Sequence, residues 1–361
     1  MSRTALPYLS SPKTKLSASN RLVIKSFNGL KALAVIGIIF GHMDFSGEWD
    51  ICARMVEILF ILSGFCMAYN HYEKTSSKND KTGWEIVKSK LTKFYPVHIT
   101  TFLLQVLFVP TWASKSMGFI LVFGALNLSL QQAWFQKTQF MFNNVSWFLS
   151  SLIFCYFITP SLRKVSRYSE KKGRLWLCFL SILGIRIYLE YTTLNYPTYV
   201  FMDLHTNPII QSLNYALGYI GGIYFNRPTR LNHCLSTQSD RLQMSVLECV
   251  FIGVYASFCY SFGVEIYRIC YVIMALPILY LLGFGKGVIS CLLSIKPLMW
   301  CEKINLELFM FHSFILYHFP VESGNIWYYV KFWLISIMVA IGFKMIWNKM
   351  RSYISAHRPA E

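Results

Sequence analysis

A lysine and a histidine stand eleven residues apart in one apolar run, from Asn28-Gly-Leu-Lys31 to Phe-Gly-His42. Eleven residues at about 100° each come within about 20° of three full helical turns, which puts Lys31 and His42 on one face about 16 Å apart along the axis. Such a pair suits the two ends of one long ligand: the cation can hold an anionic group, and the imidazole can take up a proton near neutral pH. A second apolar run, Val56 to Phe65, encloses Glu57 and ends in Ser63-Gly64-Phe65, and a later run from Ile304 carries Asn305, Glu307 and His312. Ionisable groups inside a bilayer are costly, so each is a functional candidate. Each also has a plainer use. An intramembrane histidine more often packs and hydrogen-bonds than catalyses, Glu57 can pair with Lys31 or Arg54, His312 can cap a buried network, and Ser63 and Gly64 can serve helix packing. Ser63 also lacks the Gly-x-Ser-x-Gly elbow of an activated serine.

The elements that hold these runs together follow from composition. Hydrophobic residues make up 55% of the chain and charged residues 14%, with a mean hydropathy of +0.42, far from the balance of a soluble domain. The chain reads as all-α, a polytopic transmembrane helical bundle of about ten spans with both termini cytoplasmic. Its net charge of +17 gathers in loops between apolar runs, as in cytoplasmic loops beside anionic lipid, so the charge reads as topology and lipid contact, with no nucleic acid implied. The ten cysteines are scattered without a Cys-x-x-Cys pair, which indicates neither a metal site nor a disulfide framework.

Residues 1–25 are basic and Ser-rich without an apolar leader core, and read as a disordered cytoplasmic tail. A membrane domain over 26–348 and a second cytoplasmic tail over 349–361 complete the expected organisation, with no appended soluble domain. The apolar run 117–131 reads as a partly embedded outer segment, because a full span there would move Arg163, Lys164, Arg167, Lys171, Lys172 and Arg174 outside. The Tyr-rich stretch 191–207 is expected outside, where Asp203 or His205 can meet a sugar or the rings can anchor the interface. Arg186 and Arg268 fall near outer helix ends, where snorkelling is the default.

Several blocks, taken in order, resemble the acyltransferase-3 family of integral membrane O-acyltransferases. They are Asn28-Gly-Leu-Lys31 with His42, Val56-Glu57-Ile with Ser63-Gly64-Phe65, Lys90-Leu-Thr-Lys93-Phe-Tyr95-Pro96, Trp147-Phe148-Leu149-Ser150, and Asn305-Leu-Glu307-Leu-Phe309-Met-Phe-His312. The chain departs from the pattern in places. Asn28 stands for Asp, Lys90 and Lys93 for a pair of arginines, Leu152 for an acidic residue, Asn305 for Ser and Phe309 for Tyr, while Phe148 falls within a block that resembles Trp-Ser-Leu-Ser. Lysine keeps the charge but loses the bidentate fork; without the resemblance the pair reads as an ordinary basic helix edge.

The resemblance implies transfer of an acyl group from acetyl-CoA, or another acyl-CoA, to a sugar hydroxyl of a surface polysaccharide or lipid-linked glycan, in a bacterial inner membrane. It implies a catalytic set of His42, Glu57, Glu307 and His312, donor contacts from Lys31, Lys90 and Lys93, and substrate contacts from Asn28, Ser63, Trp147 and Asn305, with no metal. Membrane lipids surround such a protein, and a separate glycan-assembly protein can complete the transfer. A pantetheine arm entering from the cytoplasm past Lys31 could reach towards His42 in the outer half. The rival class is a transporter or flippase with Lys31, Glu57, Glu307 and His312 along its path, but the inverted repeats and paired broken helices that would support it are not visible. A purely structural subunit would need no buried ionisable groups in three helices.

Overall fold

Hydropathy alone asks for helices, since a backbone crossing lipid must satisfy its own hydrogen bonds, and every regular element among the described residues is helical. The computed structural model describes residues 24–45, 51–72, 80–196, 203–262, 268–321 and 325–357. The first 23 residues of the expected N-terminal tail, Glu48 and Asp50, Lys74 and Lys78, residues 197–202 of the Tyr-rich stretch and residues 358–361 lie outside them. In chain order the helices are α1 (Lys25–Phe40), α2 (Ile51–His71), α3 (Gly83–Phe108), α4 (Pro110–Ala113), α5 (Met117–Leu128), α6 (Trp147–Lys171), α7 (Leu175–Asn195) and α8 (Pro208–Asn226). They continue as α9 (Arg230–His233), α10 (Arg241–Phe262), α11 (Arg268–Phe284), α12 (Val288–Leu293), α13 (Lys296–Lys303), α14 (Asn305–His318) and α15 (Ile326–Ala356).

Among the described residues five stretches are long and apolar enough to cross a membrane: Lys25–Met43, Cys52–His71, Leu175–Asn195, Arg241–Phe262 and Ile326–Ile354. The chain is a multi-pass membrane protein. The first two of these stretches are 61% and 67% buried inside the protein and the other three only 11%, 22% and 17%, so α1 and α2 form the axis while α7, α10 and α15 face outward. The helices between them, α3, α6, α8 and α14, mix polar with apolar residues because they line the interior. At 12 residues α5 is about 18 Å long, short of the roughly 30 Å of a bilayer core.

The α2–α8 pair is the most extensive helix contact in the bundle. Glycine makes it possible: a Cβ at Gly64 would lie 1.9 Å from the Tyr215 carbonyl oxygen, and one at Gly218 would lie 2.0 Å from that of Ile61. Backbones this close are a membrane-helix device, in which small residues replace the missing hydrophobic drive with van der Waals contact.

Several helices outrun the sequence expectation. α3 begins at Gly83, seven residues before Lys90, because Thr82 and Glu85 form a reciprocal capping box, with Thr82 N–H donating to Glu85 Oε2 at 2.7 Å and Glu85 N–H to Thr82 Oγ1 at 3.2 Å. Lys90 and Lys93 are thus about one helical turn apart within a formed helix and not at a helix edge. α6 continues through Arg163 and Arg167, which bind Asp80 at 2.8 and 2.9 Å, while Glu170 accepts from Arg227 at 2.8 Å. α15 continues through Lys349 and Arg351, the expected start of a tail, since basic residues are good helix formers. Finally α1 changes pitch at Gly41, and His42 sits on a π-helical turn, Gly41–Phe45, just past the α-helical run that starts before Lys31.

Candidate active site

Two helices, α3 and α14, and α1 together with the π-turn that continues it, carry polar side chains near both ends of the bundle, and these converge into two cavities. At one end a cavity of about 420 Å³ is lined by Lys31 of α1, Lys90 and Lys93 of α3, Ser63, Cys66 and Asn70 of α2, and Asn305 of α14. Its deeper wall is apolar, made by Val35, Leu59, Phe148, Leu152 and Phe309. Among the described residues none of the three lysines forms a salt bridge, so their charge is available to an anion. Lys31 Nζ donates to Asn28 Oδ1 at 3.5 Å, Asn305 Nδ2 donates to the Lys31 carbonyl at 2.9 Å, and Lys90 Nζ lies 4.9 Å over the Tyr156 ring. Asn28 therefore orients the lysine from outside the cavity lining. The Ser63 hydroxyl donates to the Leu59 carbonyl at 2.6 Å, an ordinary helix back-bond and not an activated nucleophile.

At the other end a cavity of about 400 Å³ is lined by His42, His312, Gln105, Trp112, Asn144 and Tyr317, among others. The two imidazole rings lie 5.3 Å apart at 31°. His42 is exposed and His312 is buried, with 1% of its surface accessible. His312 Nδ1 is 2.6 Å from the Phe309 carbonyl; a carbonyl only accepts, so Nδ1 carries the hydrogen and Nε2 keeps its lone pair. That Nε2 is buried without a hydrogen-bond partner. An acceptor in the cavity can give a proton to His42, with the His312 ring adjacent to share the change in charge.

The cover over this cavity comes from residues that carry no periodic signal. Phe142 has φ +60°, a conformation costly for a bulky side chain. It is held there by Phe102 at 4.9 Å and Trp112 at 5.0 Å. Asn143 Nδ2 donates to the Met310 carbonyl at 3.0 Å, fastening the loop to α14 just before His312. Trp112, Phe142 and Asn144 escape sequence reading, for a left-handed phenylalanine is set by tertiary packing and not by local preference.

A protein-family profile described as an acyltransferase domain, acyltransferase-3, matches residues 24–351. The chain belongs to this family. It is also similar to acyltransferase MdmB of Streptomyces mycarofaciens, 29% identical over an alignment of 191 residues that covers 48% of this chain and 48% of that protein. The similarity thus spans about half the length of each. No solved structure matches.

In this acyltransferase-family chain the cavities bring together Lys31, Lys90, Lys93, Ser63 and Asn305 at one end and His42 with His312 at the other. Other candidates lie elsewhere. Glu57 Oε2 is 2.7 Å from Arg54 Nη1, whose guanidinium stacks 3.9 Å over Tyr271, and Arg268 Nη1 is 4.0 Å from Glu57 Oε1. Glu307 faces α15, 3.6 Å from Lys344 Nζ. Trp147 packs on His205 at 4.7 Å. Asp203 accepts from Gln139 Nε2 at 3.0 Å and from the His205 N–H at 2.7 Å, so both members of this expected sugar contact are engaged in holding the loop.

Arg186 does not snorkel. It is fully buried, 2.6 Å from Glu190, and donates from Nε to Asn214 at 3.2 Å. Glu190 in turn accepts the backbone N–H groups of Arg268 and of Ile269, the latter at 3.1 Å, closing the N-terminus of α11. The ion pair anchors a helix end within the protein, which is why the arginine turns inward.

Proposed function

We propose that this chain transfers an acyl group, acetyl in the first instance, from acyl-CoA in the lysine cavity to a sugar hydroxyl in the histidine cavity. The acceptor is a cell-surface polysaccharide or a lipid-linked glycan. The observation that carries this reading is that α3 and α14 each line both cavities, while α1 lines the first through Lys31 and Val35 and the π-turn that continues it lines the second through His42, so donor cations and acceptor imidazoles ride on the same rods. Three ammonium groups without a carboxylate partner among the described residues suit the phosphates of CoA. The aromatic faces of Trp112 and Tyr317 beside the amides of Gln105 and Asn144 suit a sugar, which offers C–H faces and hydroxyl edges.

In the reaction the acceptor hydroxyl gives its proton to His42 as its oxygen bonds to the thioester carbon. The tetrahedral intermediate collapses, the C–S bond breaks and CoA leaves as a thiolate, which the imidazolium or water reprotonates. His312, adjacent to His42, steadies the charge that appears on the first ring. The positive-inside rule sets the lysine end, with Lys81, Lys88, Lys90, Lys93, Arg163 and Arg167, in the cytoplasm of a bacterial inner membrane, and the histidine end outside. A cytosolic donor then modifies an external acceptor, and a glycan-assembly protein can present or receive it.

Transport is the weaker reading, because the four groups such a path needs do not line one passage: Glu57 lies in an arginine cluster and Glu307 faces α15. Equilibrium binding of CoA to the purified full chain tests the donor assignment. Lys31→Ala and Lys90→Ala should each weaken binding about tenfold or more, the worth of a charged hydrogen bond, while His42→Ala binds like wild type. Unchanged affinity in both lysine variants would contradict it.

A further inference from the structure

The two cavities share no lining residue, and the apolar wall on the imidazole side of the lysines includes a pair of packed rings. Phe148, at the start of α6, and Phe309, on α14, meet edge to face with centroids 5.3 Å apart at 61°. Both line the deep end of the lysine cavity. On its far side Phe309 lies 5.8 Å from the His312 ring, three residues further along the helix. Phe60 backs Phe148 at 4.8 Å, and the two partition rings are 9% and 5% exposed.

We propose that Phe148 and Phe309 form the end wall of the donor cavity and set the length of acyl chain this protein accepts, admitting acetyl and excluding long chains. The inference rests on the acyl-CoA reading above and adds the acyl class to it. Lysines at the mouth fix the phosphate end of the donor, and the pantetheine arm has a fixed length, so the thioester arrives at a fixed depth. Every carbon beyond the thioester must then occupy space at the rings. A close-packed pair of rings can swing aside for a two-carbon group, whereas a longer chain has to displace them and their backing, which packed interiors resist. The wall also rests on this chain's own side chains: Phe148 stands within a block that otherwise resembles Trp-Ser-Leu-Ser, where a serine would leave the space open.

The test is equilibrium binding of free CoA, acetyl-CoA, butyryl-CoA and octanoyl-CoA to the purified full chain. Wild type should bind acetyl-CoA at least about tenfold more tightly than octanoyl-CoA, the scale on which a pocket rejects surplus methylenes. Phe309→Ala and Phe148→Ser should erase that ratio while retaining affinity for free CoA, which also reports that the variants are folded. Phe94→Ala, in the same cavity beside the lysines, should leave the ratio intact. Phe309→Leu, closer in volume, should give an intermediate ratio. Equal affinities for acetyl- and octanoyl-CoA in wild type, or a ratio untouched by the ring variants, would overturn the wall and leave the acyl-CoA reading standing. Loss of free-CoA binding in all the ring variants would also overturn it, for the rings would then be holding the fold. Absence of CoA binding by wild type would overturn the acyl-CoA reading itself.

Discussion

His42 and His312 differ in exposure. His42 opens into its cavity from a π-turn, and His312 is buried behind it with Nδ1 committed to the Phe309 carbonyl. Replacing His42 with alanine should lower transfer by about 10²–10⁴-fold, the usual worth of a positioned base, with CoA affinity unchanged. His312→Ala should also lower turnover without altering donor affinity, which steady-state kinetics would show as a loss in kcat at constant KM for acyl-CoA. Lys31, His42, Asn305 and His312 were legible in the sequence because a polar residue in an apolar run stands out. Trp112 was not, and Phe148 and Phe309 stood out only as departures within family-like blocks, since an apolar ring in an apolar run shows no cavity role until its neighbours are known. Glu57 and Glu307 stand out equally well in sequence; the i,i+3 spacing also offers Glu57 its partner Arg54, whereas Arg268 beside Glu57 and Lys344 beside Glu307 come from other helices, and no local pattern reveals them.

Helix existence could be read from apolar runs, while helix ends and pitch could not. The capping box at Thr82 starts α3 early and so fixes the face on which Lys90 and Lys93 lie. Thr82→Ala should cost about 1 kcal/mol, visible as a small drop in thermal midpoint in detergent. Larger effects belong to the axis. Gly218→Leu would place a side chain on the Ile61 carbonyl and should cost more than the usual 1–3 kcal/mol or so of overpacking, because backbone and not side chain opposes it. A monodisperse, wild-type-stable variant would contradict the close α2–α8 contact. Arg186→Ala strips a buried partner from Glu190 and should destabilise by about 3–5 kcal/mol, lowering the thermal midpoint while the remaining folded protein still binds CoA. These two positions separate stability from chemistry: both are buried, and neither lines the lysine or the histidine cavity.

At the scale of the whole molecule, an apolar composition with basic clusters was enough to announce a multi-pass helical protein, and the order of short motifs was enough to suggest its family. What it could not convey is that the two ends of the bundle hold separate cavities, since that depends on how α1, α3 and α14 lie side by side. Cys66 in the lysine cavity offers a direct probe of that separation. In a variant keeping Cys66 as its sole cysteine, CoA should slow alkylation by a maleimide, and His42→Ala should not remove the protection. The central claim is that one donor and one acceptor meet across this partition. Its most direct test is transfer of radiolabelled acetyl from acetyl-CoA to glycan, in membranes carrying wild type, Lys31→Ala or His42→Ala at matched expression. Label should appear with wild type, return in Lys31→Ala when acetyl-CoA is raised, and stay absent in His42→Ala at every donor concentration; label that survives the loss of His42 would contradict the account.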